Sequence, residues 1–123
     1  MKKSLLCFLF VLIFNITFSY AGTVKDLPKN NPLHYYAEKA SAAYSSKNYY
    51  VAIENYSKAL EIHKVPDGYL YRGYSYLYTK QYELAKKDFI TVIALCQYYN
   101  DDRCKEYSYY AADLLNLLDN IKY

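Results

Sequence analysis

The chain has 123 residues, of which 54% are hydrophobic and 20% aromatic, with 15 Lys and Arg against 12 Asp and Glu. This length suits one small domain with a modest core. The formal charge of +3 includes Lys2 and Lys3; without them 13 basic residues face 12 acidic ones, a net of +1 with no basic block. Such a balance gives no support to nucleic-acid binding.

Residues 1–21 carry the grammar of a secretory signal. Lys2 and Lys3 form the positive n-region, Leu5 to Phe14 is an unbroken apolar run, and Ser19-Tyr20-Ala21 offers small residues for cleavage before Gly22. Asn15 and Thr17 interrupt the run, which falls short of the ~20 apolar residues a spanning helix needs. The expectation is an exported protein, periplasmic or extracellular, with no stable membrane span after cleavage. From Gly22 to Asn31 the chain is polar, contains Pro28 and has no periodicity, as in a flexible tether.

Asn31-Pro32 signals a helix start, with an N-cap followed by a proline whose missing N–H is harmless in the first turn. Tyr36, Ala40, Ala43 and Tyr44 make the first apolar stripe. After the polar turn at Ser45 to Asn48, Tyr49, Ala52, Ile53, Tyr56, Ala59 and Leu60 make the second, at spacings of three and four. Pro66-Asp67-Gly68 breaks the chain, and Asp67 is placed to cap a third helix with Tyr69, Arg72, Gly73 and Tyr76 on its stripe. A turn near Lys80 leads to Tyr82, Ala85, Phe89, Val92 and Ile93. Asn100-Asp101-Asp102 opens a fifth helix, with Tyr107, Tyr110, Ala111, Leu114, Leu117, Leu118 and Ile121 on one face. The prediction is an all-α chain of five helices.

The helices repeat. A shift of 33 residues carries Ala40 onto Gly73, Ala43 onto Tyr76, Tyr49 onto Tyr82, Ala52 onto Ala85, Tyr56 onto Phe89, Ala59 onto Val92 and Leu60 onto Ile93. Small residues at helix crossings and aromatics between neighbouring pairs resemble the tetratricopeptide repeat, from Pro32 to about Cys96. The second repeat matches through Tyr69, Gly73, Tyr76, Tyr82, Ala85 and Phe89. Lys39 and Arg72 stand where the family has leucine, with stems able to snorkel over apolar neighbours. Lys64 and Gln97 stand where it has a closing proline. The resemblance implies a right-handed helix-turn-helix solenoid. Its parts are repeat 1 at about 32–64, repeat 2 at about 66–97 and a capping helix at about 101–121, within a domain of 32–123. Asp113, Asn116 and Asn120 suit the cap's solvent face.

The resemblance also implies a concave groove built by the first helix of each pair. Carried over by position, it is lined by Ser41, Tyr44, Leu70, Tyr71, Tyr74, Tyr78 and Tyr109. Tyrosine combines apolar area with a hydroxyl handle and few rotors to freeze, which suits a peptide or helix of a protein partner. Ala37, Ser41 and Tyr71 stand where relatives that grip a C-terminal carboxylate carry basic and asparagine side chains. That clamp is therefore not expected. The alternative is a biased composition with partly exposed tyrosines.

Cys96 and Cys104 are eight residues apart across a short turn between helices, which brings such positions within disulfide range. Sel1-like relatives staple adjacent helices at a similar spacing. Buried free thiols are the alternative. His34 and His63 lie in different helix pairs, and Gly22, Gly68 and Gly73 form no phosphate loop. No enzyme activity, cofactor or metal site is expected. Rival functions are a structural subunit of an envelope assembly docking through the open repeat end, an enzyme accessory domain, or a weak carbohydrate binder. Self-association is left open.

Overall fold

A computed structural model describes residues 30–121. The signal segment and nearly all of the tether lie outside the described residues. Among the described residues five helices follow one another: α1 (Pro32–Ser45), α2 (Tyr49–Ile62), α3 (Pro66–Tyr78), α4 (Tyr82–Tyr99) and α5 (Asp102–Asn120). Among the described residues there is no strand. Consecutive helices pack pairwise, α3 also lies against α1 and α5, and α2 and α4 do not meet. This is an all-α helical-repeat solenoid whose odd-numbered helices crowd together on one side.

Local chemistry sets the helix ends. The N–H of Leu33 donates to Asn31 Oδ1 at 2.9 Å, so the first cap forms as expected, with Pro32 in the opening turn. At the third helix the expectation needs correction. Pro66 opens α3 after Val65, and Asp67 lies inside the first turn, its Oδ1 accepting from the neighbouring N–H of Gly68. Proline is pre-set for a first helical position, so Pro66-Asp67-Gly68 starts the helix instead of interrupting the chain.

The two hairpin turns repeat bond for bond at the spacing of 33. In the first, the N–H of Asn48 donates to Ala43 O at 2.8 Å and that of Lys47 to Tyr44 O at 3.0 Å. In the second, Gln81 donates to Tyr76 O at 2.8 Å and Lys80 to Leu77 O at 3.0 Å. These are Schellman closures, which satisfy the last carbonyls of a helix through one left-handed residue. That residue is usually glycine; here it is Lys47 at φ 61° and Lys80 at φ 60°. Ser46 and Thr79 also correspond, each hydroxyl donating to the carbonyl four residues back.

The larger core lies around α4. Leu70, Ala85, Phe89, Val92, Cys96, Cys104, Ala111 and Leu118 form one buried cluster, with Tyr74, Tyr76 and Leu77 among the half-buried residues packed on it. Fully burying a side chain the size of Phe89 or Leu70 contributes about 1.5–3 kcal/mol. Gly73 permits this packing: a Cβ there would sit 2.7 Å from the Phe89 ring. The first pair has a smaller core of Ala40, Ala52 and Tyr56, with Ala43 and Tyr44 against it.

Arg72 does not snorkel. Its Nε and Nη2 donate to the two oxygens of Asp88 on α4 at 2.8 and 2.7 Å, and Nη1 donates to Ser57 Oγ on α2 at 3.0 Å. The guanidinium also lies over the rings of Tyr69 and Tyr76, at 5.3 and 5.8 Å. Burial pushes the Asp88 carboxyl above its ordinary value, against the pull of the Arg72 hydrogen bonds. A buried carboxylate held by a planar fork is among the strongest polar contacts a protein makes. Here it ties three helices across the boundary between the pairs.

At the C-terminal end, Asn100 takes the left-handed conformation and its N–H donates to Cys96 O. Asp101 then caps α5 by accepting from the N–H of Cys104 at 2.7 Å. This tight reversal brings Cys96 and Cys104 to disulfide distance, with Cα atoms 4.9 Å apart. The apolar face of α5 is rotated from the expected one. Ala111 and Leu118 are buried and Leu114 and Leu115 pack on the core, while Tyr110, Leu117 and Ile121 are exposed. Asp113, Asn116 and Asn120 face solvent.

Candidate aromatic interface

Six tyrosines of the first three helices, with Phe89 of α4, form a connected strip. Tyr78 stacks on Tyr49 with centroids 4.4 Å apart and planes 12° from parallel. Tyr44 meets Tyr49 at 5.8 Å and Tyr71 at 5.2 Å, both edge-on. Tyr71 then meets Tyr56 at 6.3 Å and Tyr74 at 6.0 Å, and Tyr74 meets Phe89 at 5.8 Å. Edge-on and offset contacts of this kind add about 0.5–1.5 kcal/mol per pair beyond area burial. The strip is therefore a stiff surface, held by its own ring contacts.

Helical spacing explains the arrangement. Tyr71, Tyr74 and Tyr78 recur at three and four residues along α3 and share a face. Tyr44 ends α1 and Tyr49 begins α2, so the intervening turn places both rings toward that face. Exposure grades along the strip: Tyr44 and Tyr74 are half-buried, Tyr71 is 37% exposed and Tyr78 is 61% exposed. Burial pushes the Tyr44 hydroxyl up to about 12, with further contributions from Tyr78, Tyr49, Tyr74 and Tyr71. Burial also raises Tyr56 and Tyr74. These hydroxyls stay protonated at neutral pH and can donate as well as accept hydrogen bonds.

The structure sorts the residues expected in the groove. Tyr44, Tyr71, Tyr74 and Tyr78 come together. Ser41 is exposed on α1. Leu70 is 2% exposed and belongs to the core, because its position on α3 points toward α4 and α5 and not to the surface expected for it. Tyr74 does double duty, part surface and part core, through its contact with Phe89. Tyr109 is 70% exposed, with its ring against Tyr110. On α5, Tyr107 packs on the larger core, while Tyr110 is exposed. Burial raises the Tyr107 hydroxyl, with Asp67 and Tyr71 contributing, and Tyr110 contributes to the raised pKa of Tyr74. Tyr110 also donates to Glu106 Oε1 at 3.0 Å.

The strip therefore includes residues that the sequence assigns to packing alone: Tyr49 and Tyr56. Among the described residues, no group of three or more His, Cys, Asp or Glu is arranged to hold a metal ion. Among those residues, no helix is long and apolar enough to cross a membrane. Comparison with protein-family models, curated proteins and solved structures found no match to this chain.

Proposed function

We propose that this chain is an exported, tetratricopeptide-repeat-like interaction module that binds a peptide or helix of a partner protein, without a chemical step. The observation that carries this reading is the run of ring contacts from Tyr78 to Phe89, with Tyr71 and Tyr78 partly open to solvent. Pre-ordered aromatic side chains lose little freedom on binding, and binding energy at interfaces concentrates in such anchors. The cysteine pair at disulfide distance fits an oxidising compartment.

The test is identification of the partner by proximity labelling in the native compartment, then titration of purified partner against variants. Tyr78→Ala and Tyr71→Ala should each weaken binding by ~10-fold or more, as hot-spot truncations do. Tyr98→Ala should leave binding unchanged, since Tyr98 is 89% exposed and off the strip. Equal affinity for all three variants would sink the reading.

A second reading, a structural subunit docking through the first pair, has one specific observation behind it. The N-terminal side of α1 has no covering helix among the described residues, and Tyr35 there is 51% exposed. Loss of association on Tyr35→Ala, with Tyr78→Ala silent, would favour it.

A further inference from the structure

The two Schellman turns lie side by side at one end of the array and border a depression of about 320 Å³, lined in part by Lys47, Asn48, Tyr49, Tyr78 and Lys80. Its aromatic wall is the stacked pair Tyr49 and Tyr78. Its charge is one-sided. Two lysines line it, no acidic residue does, and no ion pair among the described residues engages either lysine.

Both lysines hold the left-handed conformation, φ 61° and 60°, where a side chain is disfavoured and glycine is free. Glycine would close either turn with less strain. The chain nevertheless places lysine at this position in both repeats, 33 residues apart, and both lysines line the same depression. Outliers in backbone conformation that cluster at one cavity point to function.

We infer that the depression is a subsite for an acidic stretch of the partner peptide, its carboxylates facing Lys47 and Lys80 and its chain resting on Tyr49 and Tyr78. This inference rests on the peptide-binding reading, because Tyr78 belongs to both the strip and the depression. A long polyanion fits less well: it needs an extended basic track, and the depression supplies two lysines.

The probe is a blocked decapeptide alternating Glu and Tyr, compared with its Gln-for-Glu counterpart and with heparin, read by amide chemical shifts of the folded domain. The acidic peptide should shift Lys47, Asn48 and Lys80 saturably and bind more weakly as salt rises. Lys47→Gly and Lys80→Gly suit the left-handed turn and preserve the fold. Each should weaken binding about 2- to 5-fold and both together about 10-fold, in the range of exposed ion pairs. Equal binding of the Gln peptide, or of the double variant, overturns the inference. Heparin binding more tightly than the peptide and losing affinity in the same variants also overturns it, in favour of a polyanion. Shifts at Tyr71 and Tyr74 without shifts in the turns sink this subsite alone. Shifts at neither place count against the strip as well.

Discussion

The two helix pairs use one template and pack it differently. α1–α2 and α3–α4 share their turn hydrogen bonds, their left-handed lysines and a fully buried alanine, Ala52 or Ala85. They part at two matched positions. Lys39 and Asn55 in the first pair correspond to Arg72 and Asp88 in the second. Lys39 is exposed and lies over the Tyr35 ring, while Asn55 donates to the Val51 carbonyl of its own helix at 2.8 Å. Arg72 and Asp88 find each other across two helices. The pair with a neighbour on each side can shield an ion pair and extend a core; the first pair, with no helix before α1 among the described residues, keeps Lys39 and Asn55 local. Position in the array therefore decides how the same repeat is stabilised.

The sharpest way to break this comparison is at the buried charges. Arg72→Ala leaves Asp88, 3% exposed, without its partner and should cost about 3–5 kcal/mol in urea unfolding. Lys39→Ala should cost under ~1 kcal/mol, as for an exposed charge. Similar losses at both sites would mean that the pairs are energetically alike.

Joining or separating the cysteines probes the covered end. Protein from the exported fraction should resist alkylation at Cys96 and Cys104 until reduced. Loss of the link should lower stability by at most about 2.5 kcal/mol, the loop-closure contribution of so short a span. Free alkylation without reductant would leave them as small buried hydrophobes.

Helix approach is tested next. Gly73→Leu must displace the Phe89 ring and should destabilise by about 1–3 kcal/mol through overpacking. Ala40→Gly, the reverse exchange in the first pair, should cost ~1 kcal/mol by backbone entropy. An unchanged melting temperature for Gly73→Leu would contradict the close crossing of α3 and α4.

The gentlest perturbation is alkaline pH. Burial pushes the Tyr44 hydroxyl from its ordinary value of 10.0 up to about 12, so the folded state holds its proton longer. Its contribution is complete below pH 10 and is lost as pH rises through about 12. Tyr56 is shifted in the same direction, so both raised tyrosines of the first pair act together. Hydrogen exchange should therefore loosen α1 and α2 before α4 over this range. Simultaneous loosening would show that the strip couples the pairs into one unit.

Much of the fold was legible in the residues. Asn31-Pro32, the polar turn at Ser45 to Asn48, the break near Pro66 and Asp101 mark helix ends because caps and turns are short-range chemistry. The shift of 33 residues reappears as matching hydrogen bonds in the two turns. The candidate site was less legible. Helical periodicity gives a face but not its rotation, and neighbouring residues differ by about 100° around the axis. A modest rotation therefore buries Leu70, exposes Leu117 and Ile121, and packs Tyr107 on the core.

By itself the sequence determined five helices, their repeat and a turn between Cys96 and Cys104 short enough for disulfide distance, since each follows from contacts within a few residues along the chain. Only the tertiary structure decided that Arg72 meets Asp88 and Ser57, that Tyr49 stacks on Tyr78, and that Lys47 and Lys80 share one depression. Those contacts join residues on different helices. Their existence depends on crossing angles and axial rotation, which the summed packing of all five helices sets and no local pattern encodes.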